Sequence, residues 1–129
     1  MLGVSAITVV TFVVAVVALQ DDARAGCVAS APTDPSYEAE LLGQVDTTTT
    51  TYRLSITRDG EPVAGALVCF DTYMRGMSAM VVSETAVEVV PGIYEISIFF
   101  EMTGPWRGDV LISEDGQPPS RLELDFDVQ

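Results

Sequence analysis

Beyond residue 37 the chain alternates apolar and polar residues with a period of two, the pattern of half-buried strands. Tyr37, Ala39, Leu41 and Val45 share one face of a weak first strand. The Thr47 to Thr51 run is β-prone but polar, and suits a strand edge or a loop. Tyr52, Leu54 and Ile56 then alternate with Arg53, Ser55 and Thr57, while Ala66, Val68 and Phe70 oppose Leu67, Cys69 and Asp71. Val81 to Val90 supplies one or two short strands, and Tyr94, Ile96, Ile98, Phe100 and Met102 form a long apolar face. Trp106, Val110 and Ile112 follow, and the clearest alternation is the last: Leu122, Leu124, Phe126 and Val128 against Glu123, Asp125 and Asp127.

Turn pairs separate these runs at Asp59-Gly60, Pro91-Gly92, Gly104-Pro105, Asp115-Gly116 and Pro118-Pro119. Short strands so spaced predict an all-β domain over 37–129, an immunoglobulin-like antiparallel β-sandwich of about seven strands. No segment after the first 20 or so residues has a helical period.

The amino terminus breaks the pattern. Leu2 to Leu19 is uncharged and rich in Val, which predicts a hydrophobic helix within 1–26. Its length is near the ~20 residues that cross a bilayer, so it reads as a membrane anchor or a signal peptide. Ala23-Arg24-Ala25 fits a small-x-small cleavage site, and Ala25-Gly26-Cys27 resembles the end of a lipoprotein signal, although Arg24 stands where an aliphatic residue belongs. Each alternative places the remaining chain outside the cytoplasm: anchored on the extracytoplasmic side, or periplasmic or secreted after cleavage. Residues 27–36, with two prolines among small polar residues, read as a linker. Cys27 and Cys69 are the only cysteines; in an oxidising compartment they pair, unless Cys27 carries lipid and Cys69 stays free.

Composition narrows the chemistry. There is no His and no Lys, and 19 Asp and Glu face 6 Arg, for a net charge of −13. That charge opposes nucleic acid and anionic headgroups. The missing His removes Ser-His-Asp and Cys-His catalysis and His-bearing zinc sites. The carboxylates alternate with apolar residues as a solvated strand face does, so the chain is not expected to be an enzyme. The one constellation with chemistry is Met74, Met77 and Met80, whose thioethers suit Cu(I), with Cys69 a further soft donor a few residues upstream. The competing reading is that these methionines pack or meet a partner. Met102 and Trp106 are expected in the core, and Tyr73 and Arg75 flank the methionine turn as interface residues.

Three pieces of the chain carry a resemblance. Gly60-Glu61-Pro62-Val63-Ala64-Gly65-Ala66-Leu67-Val68 is similar to the "G-x-P-V-x-G-A-x-V" opening of YtkA-like domains, which are related to FixH-type proteins. Pro91-Gly92-Ile93-Tyr94 resembles their "P-G-x-Y", and Phe100 to Trp106 with Val110 and Ile112 resembles their "F-x-M-x-G-x-W-x-x-x-v-x-i". The resemblance spans roughly residues 40 to 115. It implies an exported or membrane-anchored accessory sandwich, with copper handling or a haem-copper terminal oxidase as the associated function and partner. Members often carry "M-P-x-M-x-H" at the turn; Met74 to Met80 keeps the methionines without Pro or His, so only the thioether half of such a site carries over. The alternative is a metal-free interaction module, tethered to the membrane and packed against a larger membrane complex.

Overall fold

The computed structural model describes residues 27–77 and 81–129. The expected hydrophobic helix, the cleavage site and Met80 lie outside the described residues. Among the described residues nine strands follow in order: β1 (Tyr37–Leu42), β2 (Thr51–Arg58), β3 (Glu61–Pro62), β4 (Leu67–Met74), β5 (Val82–Thr85), β6 (Val87–Val90), β7 (Ile93–Ser97), β8 (Gly104–Ser113) and β9 (Ser120–Val128). They form two antiparallel sheets, β1-β2-β7-β6 with β3 against β2, and β5-β4-β8-β9. Among the described residues there is no helix, and so none long and apolar enough to cross a membrane.

The inward faces are those the alternation selects. Leu54 and Ile56 of β2, Val68 and Phe70 of β4, Tyr94 and Ile96 of β7, and Val110 and Ile112 of β8 are buried between the sheets. Tyr94 sits there because its hydroxyl is satisfied: it donates to Val63 O at 2.7 Å and accepts from Ala66 N at 3.2 Å. The phenol thereby ties the β3–β4 connection to β7. Two glycines answer to close approach. A Cβ on Gly92, whose φ is +82°, would lie 2.7 Å from Pro62 Cβ, while one on Gly108 would run into the Phe70 ring. Gly92 O accepts from Ile56 N at 2.8 Å, so the Pro-Gly turn is stitched to β2.

Val81 to Val90 supplies two short strands, within the expected one or two, and they lie in different sheets: β5 pairs with β4, β6 pairs with β7, and the chain crosses between sheets at Ala86. Two expectations are corrected. First, 27–36 does not hang free. Cys27 is disulfide-bonded to Cys69, Thr33 bridges to Arg121 in parallel, and Arg121 N donates to Pro32 O at 3.0 Å. Ala31 is buried, and so is Leu111, which the alternation of β8 would turn outward. The segment is a strap over the outer face of the four-stranded sheet. With its sulfur in the disulfide, Cys27 has no thiol left to carry lipid. Second, Met102 is exposed, because β7 ends at Ser97 and the parity of the strand is lost after Phe100.

Candidate functional site

Met74 and Met77 stand at the carboxyl-terminal end of β4. Met74 closes β4 opposite Trp106 of β8, Gly76 takes φ +83°, and Met77 N donates to Met74 O at 3.0 Å. Facing it, the β7–β8 connection folds back on itself: the Trp106 indole N–H donates to Met102 O at 2.9 Å. Beneath lies an aromatic cluster. Phe100 meets Trp106 edge-on at 5.1 Å between centroids, and meets Tyr52 and Phe126 in the same manner at 5.5 and 5.6 Å. This cluster fixes the floor on which the methionines rest.

Between the end of β4 and this connection opens a cleft of about 350 Å³, lined by Met74, Met77, Val81, Val82, Phe99, Glu101, Met102 and Trp106. Trp106 and half-buried Met74 form its floor, and the rim is open, with Phe99 55% and Met102 52% exposed. Glu101 is the one charged side chain in the lining. The nearest cations are turned elsewhere: Arg75 and Arg107 each hold Asp125 at 3.0 Å, and hydrogen bonds from Arg107 and then Arg75 depress the Asp125 carboxyl. The cleft is an apolar, thioether-rich surface with one carboxylate among its described lining residues.

Met74 and Met77 are therefore brought together, joined by Met102. Cys69 is not: its sulfur is bonded to Cys27 and lines a separate depression with Asp71, Thr85 and Leu111. A disulfide sulfur offers no thiolate, so in this oxidised form Cys69 leaves the set of soft donors. Tyr73 and Arg75 stand off the lining as well. Phe99, Val81 and Val82 were not anticipated. The signal for Phe99 was present: in a Phe99-Phe100 pair on a period-two strand, one ring must face outward. Among the described residues no three His, Cys, Asp or Glu side chains gather as a metal-ligand set.

Elsewhere the titratable groups are structural. Asp109 on β8 is flanked across the sheet by Asp71 and Glu123, and its half-buried carboxyl is pushed up, by burial first. Asp46 caps its own loop, with its carboxylate accepting from Thr49 N at 2.7 Å, and is depressed for that reason.

Neither the curated proteins nor the solved structures contain a match to this chain. The sequence profile of the YtkA-like family does match, over residues 34–111. That range runs from the end of the strap to Leu111, inside β8, and it includes the cleft and both residues of the turn-and-strand pair Gly92 and Tyr94. The chain belongs to the YtkA-like family.

Proposed function

We propose that this protein is a non-enzymatic, extracytoplasmic accessory domain that binds a partner through the methionine-lined cleft. The strand order, β1-β2-β7-β6 over β5-β4-β8-β9, supports reading the sandwich as immunoglobulin-like. One observation carries the docking reading. Five apolar side chains at the cleft (Met77, Val81, Val82, Phe99 and Met102) are each more than 40% exposed around the rigid Trp106 floor. Apolar surface gathered in one concavity marks an interaction site. Methionines there adapt their shape to what they meet. The uncharged run Leu2 to Leu19 supports export and a membrane location for the partner, such as a respiratory membrane complex. Co-purification from native membranes tests this: Met77→Ser with Met102→Ser should abolish recovery of the partner, and a partner retained by that variant would refute it.

A second reading has its own observation. Met74, Met77 and Met102 line one cleft, and three thioethers are a donor set that fits Cu(I). These residues would hold the ion, and the ion would supply a transferable soft cation. Titration with Cu(I) in reducing buffer tests it. Met74→Leu, Met77→Leu and Met102→Leu together preserve apolar volume and remove sulfur. Cu(I) retained by that variant would exclude the cleft as the site.

A further inference from the structure

We propose that the free edge of β6 is a docking site for an extended basic segment of another protein, which adds to the five-stranded sheet as a further strand. The proposal rests on the accessory-domain reading but not on the cleft. β6 is a sheet edge, and all four of its residues are exposed, Val87 66%, Val89 40% and Val90 53%. An unpaired edge with apolar side chains is a template for strand addition, and folded proteins usually blunt such edges with charge or cover. Two other edges here are blunted. β1 carries Glu38 and Glu40 outward, and β9 carries exposed Glu123, Asp125 and Asp127 and is bridged by the strap at Thr33. The edge of β6 is the least protected, with three exposed valines and one carboxylate, Glu88. Eight of the nine large exposed hydrophobic residues among the described residues belong to the cleft or to β5 and β6. The chain from Val81 to Val90 joins the two along one side of the sandwich.

Charge names the partner. From residue 76 to residue 106 there is no Arg or Lys, while Glu84, Glu88 and Glu101 are present along this side. The flanking cations Arg75 and Arg107 are both engaged with Asp125. Glu88 stays on β6, with its carboxylate accepting from Gly65 N at 3.1 Å. An incoming strand that alternates apolar side chains with Arg or Lys sets apolar groups against Val87, Val89 and Val90 and a cation beside Glu88, the one carboxylate of β6, on a surface of net negative charge. A second copy of this chain does not, since it brings the same carboxylates and a further −13 of net charge. The bulge between Glu88 and Val90 bends the edge, which suits one short segment rather than open-ended stacking.

The test uses the full-length oxidised chain in detergent and three synthetic octapeptides. One alternates Val with Arg, the second replaces Arg by Glu, and the third is the Val-Arg peptide N-methylated at every amide, so that it keeps its charge but neither of its edges can donate to a ladder. The Val-Arg peptide should bind and slow hydrogen exchange at the amides of Val87–Val90. The other two should bind at least roughly tenfold more weakly, ~1.4 kcal/mol. Val87→Lys should weaken the Val-Arg peptide comparably; because Val87 is 66% exposed, the variant keeps its fold, which Trp106 fluorescence verifies. Met77→Ser with Met102→Ser, which would undo the cleft reading, should leave peptide binding unchanged. The proposal is overturned if the methylated peptide binds equally well, if protection falls outside β6, or if only the cleft variant loses binding. It is equally overturned if the Val-Arg peptide does not bind, if the unliganded chain is a dimer with these amides already protected, or if phosphatidylcholine vesicles protect them instead.

Discussion

Trp106 shows how one side chain can serve both packing and site. Its ring is 8% exposed, meets Phe100 edge-on and donates to Met102 O, so it closes the core and shapes the β7–β8 connection together. Trp106→Ala should cost ~3–5 kcal/mol in urea unfolding. A loss below ~1 kcal/mol would place the ring outside the core. The buried tyrosines give a second readout. Burial, and for Tyr37 also its hydrogen bond to Glu114, pushes Tyr37 and Tyr94 up to about 12 from an ordinary 10.0. Because the folded value is the higher one, the neutral phenols stabilise the fold fully below pH 10, and that contribution is lost as pH rises through about 12. Absorbance at alkaline pH should therefore show at least two of the four phenols ionising late, together with loss of the fold; four that all ionise near 10 would contradict the burial. Trp106 and Tyr94 were legible in the sequence because each sits on a strict period-two run. Met102 was not. Its parity was counted from Tyr94, and the count fails where the ladder stops at Ser97 and the connection turns to offer its carbonyl to Trp106.

At the scale of elements, periodicity placed the strands but not their partners. Nothing in Val81 to Val90 marks Ala86 as a crossing, because a change of sheet alters hydrogen-bond partners rather than side-chain alternation. The strap was opaque for a related reason. Small residues and prolines look like a linker, and what holds 27–33 in place is distant: Cys69 and the backbone and side chain of Arg121. The disulfide closes a span of 42 residues, which in the chain-entropy view stabilises by ~4 kcal/mol. Cys27→Ser with Cys69→Ser should lower unfolding stability by ~2–4 kcal/mol and expose Leu111 and Ala31 to solvent. Fast hydrogen exchange confined to residues 27–36 would report the released strap. If stability is unchanged, the strap is held by Arg121 alone.

For the whole molecule, the acidic excess is the dominant long-range term. The Arg side chains among the described residues engage carboxylates only locally, as in the exposed Arg53–Glu95 pair at 3.5 Å, and a net charge of −13 remains to repel itself. Raising salt from ~0.01 M to ~1 M shortens the screening length from ~30 Å to ~3 Å, so the thermal midpoint should rise with added NaCl. A midpoint that falls would mean that the surface ion pairs outweigh the repulsion. The strap has a last consequence, and it is mechanical. A force applied at the amino terminus does not enter the sandwich at β1, the first strand, because the load passes from Cys27 through the sulfurs directly into β4 at Cys69. The span of 42 residues between the cysteines is then shielded from tension, and only the chain beyond Cys69 can be drawn out. Stretched between its ends by optical tweezers, the oxidised protein should release ~150 Å less contour length than the reduced one, at ~3.5 Å for each shielded residue. The loop from Cys27 to Cys69 would carry no load in a pull that unravels the rest.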